Sequence, residues 1–361
     1  MTGRFPRKIF VLVALFTLPQ PGFAHAHERA AANFQNHCAV CHGASGHPES
    51  AFPMLRELGV VPANFTDALF NSREPTGDFF MVIKHGGAAF GLAEQMPAFG
   101  ESLSDAEIEE LVAYVKTLAG PHDYPPGDLN LYLPLNTKKA FPEDELVWKG
   151  EFQNDGGRER FTQTLEVERR IGTRSQLLLE LSHRVDDGDG EFKSIEFGAK
   201  HVLHHDLDSG FIATLAGVVE VPFDSDDSVE MLPYLALGKI LNDEWTLQGS
   251  VRAKLPVDNV GDGEMEISGI AHWVHTPWSR AVFPGLEFTT EIPLDRGNGT
   301  DGTDFSHWSV TPQVRIGLTR GGHVALNLGV ELPLNETGRY DWRGLAYLIW
   351  DFADGPFWSG W

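Results

Sequence analysis

The two cysteines of the chain constrain its fold more than any other feature, because they stand three positions apart and a histidine follows the second. Cys38, Cys41 and His42 form the pattern C-x-x-C-H. In this pattern two thiols bond to the vinyl groups of a haem, and the adjacent imidazole takes an axial position on its iron. One helical turn places both sulfurs on the same side of the macrocycle. We therefore expect one covalently attached haem c.

Two other sites could use a pair of cysteines at this spacing. A thioredoxin-like redox pair belongs to a βαβ context, which the flanking sequence lacks. A zinc site requires a second pair of Cys or His ligands at short spacing, and the chain has only two cysteines. Haem attachment is the better interpretation of the motif.

The sixth iron ligand is expected from a loop stiffened by proline. Met96 precedes Pro97 just before a predicted helix, and a thioether suits haem iron and raises its reduction potential. The alternative is that Met96 only fills core space, with Met81, on an apolar helical face, as the reserve ligand. The following residues line the haem cleft or are ordinary turn residues: Gly43, Pro53, Gly86 and Gly87.

Helix signals surround the motif. An alanine-rich stretch over 29–34 leads into it, and Ser104 to Glu107 form a capping box before the amphipathic stretch 108–118. In this order the segment 27–120 resembles a class I cytochrome c. The resemblance implies an all-α domain of three to five helices, with His42 and Met96 as axial ligands. It also implies a partly exposed haem edge for outer-sphere electron transfer and an iron with no free coordination position.

The N-terminus has the pattern of an export signal. Basic residues within the first eight positions precede an apolar run over 9–18, and Ala24-His25-Ala26 is a small-x-small cleavage pattern. The apolar run of about ten residues is too short for a membrane helix. We predict a signal peptide over 1–26 and an exported mature chain.

The charge of the chain restricts its partners. The formal net charge is −23, which argues against nucleic acid or anionic lipid as the main ligand. No Gly-rich phosphate loop, Ser-His-Asp order or paired catalytic carboxylates stand out. An electron carrier is therefore expected rather than a classical enzyme, with iron oxidation as the one activity to consider.

Five prolines between positions 121 and 142 mark the domain boundary. We predict an extended, Pro-rich linker over 121–145 that acts as a tether rather than a packed element. Beyond it, segments of about ten residues alternate polar and apolar side chains between turn signals. In 245–255 and 324–332 one face is apolar and the other carries polar or charged groups.

About twelve such segments are counted over 146–361. An even number with charged residues on one face predicts an all-β, antiparallel, up-and-down barrel of the outer-membrane type. The alternative is a soluble β-sandwich, where strands also alternate. The barrel is favoured by tryptophans near strand ends, as in interfacial girdles: Trp148, Trp273, Trp278, Trp308, Trp342 and Trp350.

Predicted connector lengths alternate between long, acidic loops and tight turns. In outer-membrane barrels the short turns are periplasmic, and an even strand count puts both barrel ends on that side. The cytochrome domain is then expected in the periplasm, beneath a barrel too narrow to hold it. The long loops are expected at 154–159, 186–191, 223–228, 258–264 and 295–304.

Two further clusters could bind metal. His201, His204 and His205 lie near one predicted strand end, and imidazole suits transition metals, although solvated turn histidines are commoner. The acidic stretch 186–191 resembles a loose cation loop without the ligand ladder of a calcium hand, and a solvated loop is the simpler account.

Together the two halves resemble the fused cytochrome-porins of iron-oxidising bacteria. That resemblance implies an outer-membrane electron conduit between an external donor, such as ferrous iron, and periplasmic redox proteins. A second hypothesis makes the barrel a small pore or membrane anchor that carries a periplasmic respiratory cytochrome. A third makes the β-domain a soluble docking module in the periplasm.

Overall fold

The computed structural model describes residues 21–48, 55, 57, 59–186, 188–276, 278, 281–294, 306–319, 324–335 and 339–352. Residues 1–20 lie outside this set, so the signal peptide remains a prediction. The described residues contain no helix long and apolar enough to cross a bilayer. The helices are α1 (Pro21–Asn33), a π-helical turn (Phe34–Cys38), α2 (Ala39–His42), α3 (Ala68–Arg73), α4 (Thr76–His85) and α5 (Asp105–Thr117), with 3-10 turns at Gly87–Phe90, Gly127–Leu129 and Val260–Asp262.

The helices form a small domain around an apolar core. Phe34, Ile108 and Leu111 are fully buried, and they pack in one cluster with Cys38. The predicted capping box is present, because the hydroxyl of Ser104 accepts a hydrogen bond from the Glu107 N–H and the Glu107 carboxylate accepts one from the Ser104 N–H. The all-α N-terminal domain is confirmed.

Twelve antiparallel strands follow between residues 145 and 351. They are β1 (Glu145–Asp155), β2 (Arg158–Ile171), β3 (Ser175–Asp186), β4 (Asp189–Asp206), β5 (Phe211–Pro222), β6 (Glu230–Met231 with Tyr234–Asn242), β7 (Trp245–Pro256), β8 (Glu264–Trp273), β9 (Val282–Pro293), β10 (His307–Gly317), β11 (Val324–Pro333) and β12 (Trp342–Asp351). The two pieces of β6 both lie between β5 and β7 and act as one strand.

The sheet closes on itself. Each strand pairs with its neighbours in sequence, and β1 pairs with β12 from Glu145 opposite Asp351 to Asn154 opposite Trp342. Closure leaves no edge strand between the first and the last. The predicted up-and-down barrel of twelve strands is confirmed.

The outer surface of the barrel is apolar, and its interior buries many polar and charged side chains beside apolar ones. On β3, Leu177 and Leu179 are 47% and 49% exposed, whereas Gln176 and Glu180 are buried at 1% and 6%. A soluble sandwich would bury the leucines between its sheets and expose the polar face. The inverted pattern excludes the sandwich alternative.

Connections differ from the prediction at two of the expected long loops. β1 and β2 pair as far as Asp155 opposite Arg158, so only Gly156 and Gly157 join them, and both have positive φ. β3 and β4 similarly pair as far as Asp186 opposite Asp189. The acidic residues in these stretches favoured the prediction of loops. They continue the strands instead, because cross-strand pairing does not require apolar side chains.

The predicted tether does not behave as a tether. Residues 127–144, called the lumen segment here, are extended but lie inside the barrel, where Leu129 and Phe141 are each only 1% exposed. Barrel side chains bond to its backbone: the Tyr347 hydroxyl donates to the Leu135 carbonyl at 2.7 Å, and the Gln248 amide donates to the Tyr132 carbonyl at 2.7 Å. Proline content correctly indicated an extended chain, but it carries no information about what surrounds that chain.

The strongest anchor of the lumen segment is a buried carboxylate. Glu287 accepts hydrogen bonds from the backbone N–H groups of Asn136 and Thr137, and from the Gln313 side chain at 2.8 Å. Tyr132 stacks on Phe283 of β9, with 3.9 Å between ring centroids. Because these contacts satisfy backbone groups that have no secondary structure of their own, the segment is held within the barrel interior.

The cytochrome domain lies at the end of the barrel where β1 begins and β12 ends. Phe90 packs on Trp278 of the β8–β9 connection, with 4.3 Å between ring centroids. The Thr76 N–H at the start of α4 donates to the Asp128 carboxylate at 3.0 Å, which ties the helical domain to the lumen segment. The helical domain therefore contacts both a strand connection and the lumen segment at this end.

Candidate functional site

The C-x-x-C-H motif spans a change in helix type. α1 continues into the π-helical turn that ends at Cys38, and α2 then carries Cys41 and His42. Such single π turns are frequent at functional sites, since they shift the following side chains around the helix axis. Gly43 ends the helix with φ 78°, where an added Cβ would stand 2.1 Å from the His47 carbonyl oxygen. Only glycine fits this position, which fixes the course of the chain directly after the motif.

His42 is buried and oriented by a backbone carbonyl. Its Nδ1 donates to the Ala63 carbonyl at 3.0 Å, and its ring stacks on Phe65 with centroids 4.4 Å apart. A carbonyl only accepts, so the proton is on Nδ1 and the lone pair of Nε2 is available for a metal. Burial lowers the pKa of His42 below its ordinary value, against a smaller opposite effect of the Ala63 hydrogen bond. The neutral imidazole is the form that binds iron.

The cysteines have the character of attachment thiols rather than of a redox pair. Cys38 and Cys41 are both free, and burial raises the pKa of the Cys38 thiol to about 11, with a further contribution from Cys41. A thioredoxin-like pair requires a lowered thiol pKa, which this environment does not provide. A buried apolar wall, two free thiols one turn apart and an oriented imidazole fit a covalently attached haem.

The Met96 loop is held against the same apolar cluster that contains Cys38. Gly87 donates its N–H to the Met96 carbonyl at 2.9 Å, and Phe99 donates to the Ile83 carbonyl at the end of α4 at 2.9 Å. An added Cβ at Gly87 would lie 2.4 Å from the Ala93 carbonyl oxygen. The glycine therefore allows the loop to approach closely.

Met81, the second candidate for the sixth iron ligand, lies in a different environment from Met96. Met81, on α4, is not part of the cluster that joins Met96 to the motif, although its neighbours Phe79, Phe80 and Ile83 are. Gly86, with φ 80°, lies with Gly87 beneath the Met96 loop, so both glycines serve this loop approach. Pro53 lies outside the described residues.

Two supporting residues of the site were not anticipated from sequence. Ala63 contributes only its backbone carbonyl, which no side-chain pattern could have revealed. Phe65 contacts His42, Phe34 and Phe79 at ring distances of 4.4 to 6.2 Å. An isolated aromatic residue about twenty positions after the motif carries no periodic signal, so only the tertiary structure identifies it.

The predicted histidine cluster does not converge. His201 bonds to the Ser175 hydroxyl at 2.8 Å, and His205 lies 3.9 Å from Asp123 in the domain connection. A β-bulge between Val202 and His204 interrupts the strand register there. Among the described residues, the ligand atoms that lie within 4.8 Å of one another belong instead to three carboxylates: Glu143, Glu145 and Asp351.

Comparison with known proteins identifies the helical part. Residues 25–115 match the family model described as cytochrome c oxidase, cbb3-type, subunit III. The match covers about a quarter of the chain. It assigns the helical domain to the c-type cytochromes, which implies covalently bound haem c and electron transfer. No curated protein sequence matches the chain.

Solved structures resemble the second part. A KdgM porin aligns with 12% identity and a TM-score of 0.42, over 58% of this chain and 99% of the porin. A NanC porin aligns with 9% identity and a TM-score of 0.43, over 58% and 99%. An outer membrane channel from Pseudomonas putida F1 aligns with 12% identity and a TM-score of 0.43, over 62% and 100%. All three TM-scores are below 0.5, so the barrel topology rests on the strand pairings of this chain.

Proposed function

We propose that this chain, a c-type cytochrome domain joined to a closed β-barrel, is an electron-transfer protein anchored in the outer membrane. One haem c is attached through Cys38 and Cys41, with His42 and Met96 as the axial ligands of its iron. The bound haem supplies one-electron chemistry. The protein binds it, orients His42 through the Ala63 carbonyl, and surrounds it with the apolar cluster of the helical domain.

The inverted side-chain pattern of the barrel carries the membrane assignment. Its outer surface exposes a leucine-rich belt, which water would disfavour and lipid would not. Tryptophans mark both ends of this belt: Trp245 and Trp273 lie at the end with the cytochrome domain, and Trp308 and Trp342 at the opposite end. Such aromatic residues are typical of the two membrane–water interfaces.

The cytochrome domain is placed on the periplasmic side in this proposal. Phe90 and Asp128 hold the domain at the barrel end where β1 begins and β12 ends. In outer-membrane barrels with an even number of strands, both ends of the barrel chain lie on the periplasmic side. Periplasmic redox proteins are then its direct partners. The electron donor is external or close to the membrane, and ferrous iron is the donor to test first.

The alternative of a small pore is less well supported. The lumen segment fills the barrel interior, and the cavity beside it, lined by Lys138, Glu196 and Tyr234 among others, measures about 70 Å³. That volume holds a few water molecules, and the lumen segment occupies the space beside it. The anchoring role of the barrel is retained in both hypotheses.

The test is a haem-stained denaturing gel of isolated outer membranes, with boiled and unboiled samples side by side. We expect a haem band in this fraction that shifts on boiling, because a closed barrel resists the detergent until heated. The Cys38→Ser/Cys41→Ser variant should show the same protein shift without haem stain. Haem found only in the soluble periplasmic fraction would contradict the proposal.

The electron donor is tested in intact cells. Intact cells are exposed to ferrous iron, and haem reduction is followed by absorbance in the wild type and in Met96→Ala. Reduction in the wild type supports an external donor. Reduction that occurs only after the outer membrane is opened would restrict the donors to the periplasm.

A further inference from the structure

We propose a second metal site, for a divalent cation, at the end of the barrel interior that faces the cytochrome domain. It is formed by the carboxylates of Glu143, Glu145 and Asp351, whose ligand oxygens lie within 4.8 Å of one another. Glu143 ends the lumen segment, Glu145 opens β1, and Asp351 closes β12. The site therefore joins the three parts of the chain that meet at the seam of the barrel.

The strand register creates this cluster. Glu145 is the direct cross-strand partner of Asp351 in the β1–β12 pairing, and Glu143 lies two residues before it on the same side of the chain. Like charges directly opposite each other on paired strands are unfavourable unless something neutralises them. Both glutamates are also removed from water, at 5% and 1% exposure.

An unsatisfied oxygen points to the missing partner. Oε1 of Glu145 is buried and, among the described residues, has no hydrogen-bond partner, and Glu145 makes no ion pair there. A buried carboxylate without a partner is strongly unfavourable, so such groups are paired or bind metals. Lys139 pairs with Glu143, at the edge of the cluster. A divalent cation held by the cluster gives the buried Glu145 carboxylate the partner that it lacks among the described residues.

The other cations of this region have carboxylates of their own. Arg170 and Arg169 pair with Asp144, and Lys200 lies 3.7 Å from Glu168. They do not replace a ligand at Glu145. An all-oxygen donor set favours hard cations such as Mg²⁺, Ca²⁺ or Mn²⁺. Metal–oxygen distances of about 2.1 to 2.5 Å put the ligands of one ion at most about 4 to 5 Å apart, which the observed cluster matches.

The test uses the full-length, haem-loaded protein in detergent after treatment with a chelator. Mn²⁺ is added, and the free ion is measured by electron paramagnetic resonance. We expect one tightly bound Mn²⁺ per chain, at least tenfold weaker binding in Glu145→Gln and in Asp351→Asn, and no change in Glu151→Gln. The last variant is the matched control, since Glu151 is on the same strand but pairs with Arg343 at 3.7 Å.

The shift on boiling shows whether each variant has folded. Mn²⁺ should raise the unfolding temperature of the wild type and of Glu151→Gln, but not that of Glu145→Gln or Asp351→Asn. Absence of Mn²⁺ uptake by the wild type, or uptake that Glu145→Gln leaves unchanged, would overturn the proposal. In that case the carboxylates share a proton, which infrared spectroscopy would detect as a protonated carboxyl band lost in Glu145→Gln.

Discussion

The helical domain and the barrel differ in how many polar side chains they bury: the helical core is largely apolar, whereas the barrel interior combines apolar clusters with many charged and polar groups. In the helical domain Phe34, Ile108 and Leu111 form the interior. In the barrel Glu287, Asn327 and Glu331 are fully buried, while leucines cover the outside. The helical domain therefore has the side-chain distribution of a protein surrounded by water, whereas the barrel has that of a protein surrounded by lipid. The helical domain tolerates polar change on its surface, whereas the barrel tolerates it only in its interior.

The largest expected effect is the loss of covalent haem from the helical domain while the barrel stays folded. Cys38→Ser with Cys41→Ser should abolish covalent haem and leave the barrel intact, because the thioether bonds form in the helical domain alone. Haem staining and the shift on boiling measure the two halves in one gel. Covalent haem in the double variant would contradict the role of the motif.

Met96→Ala should lower the reduction potential and open a coordination position on the iron, since a thioether ligand favours the reduced state. Redox titration and binding of carbon monoxide measure the two effects. Met81→Ala is the matched control and should leave both unchanged. An unchanged potential in Met96→Ala would remove that residue from the iron.

Phe34→Ala should destabilise the helical domain by about 3 to 5 kcal/mol, the usual cost of removing a buried aromatic ring. Urea unfolding followed by the haem spectrum measures this, and the shift of the barrel on boiling should not change. An equal loss of barrel stability would mean that the two regions unfold as one unit.

Leu179→Arg tests the barrel in place of the helical domain. A charge placed on the outer face costs about 2 to 4 kcal/mol near the middle of a bilayer. Refolding into lipid vesicles measures the loss, with Leu179→Ala as the milder control. An arginine tolerated without cost at this position would argue that the belt does not face lipid.

The smallest expected effect is at a helix end. Ser104→Ala removes the cap of α5 and should lower the stability of the helical domain by about 1 kcal/mol. Urea unfolding of the full chain detects it. Ser102→Ala is a suitable control, because the Ser102 hydroxyl bonds only to the Phe99 carbonyl one turn earlier.

Local patterns predicted most of the elements. The capping box at Ser104, the C-x-x-C-H turn and the alternation along β7 and β11 each depend on residues close in sequence. On β11, Asn327 is fully buried and Leu328 is 38% exposed, as the alternation required. Strand count and closure followed from counting such segments.

Long-range contacts could not be predicted in this way. The lumen segment contains ordinary linker residues, and only the interior of the closed barrel gives Asn136 and Thr137 their partner Glu287, some 150 positions later. The Ala63 carbonyl that orients His42 is likewise invisible in a side-chain pattern. These features depend on the tertiary structure rather than on any stretch of sequence.

The pairing of the first strand with the last imposes an order of assembly. The seam between β1 and β12 cannot close until the C-terminal strand has been delivered, because each of these strands is the other's partner. The helical domain, by contrast, has a core formed by its own residues alone. Maturation of the cytochrome can thus precede membrane insertion, and a truncation that removes β12 should leave a folded cytochrome attached to an open sheet.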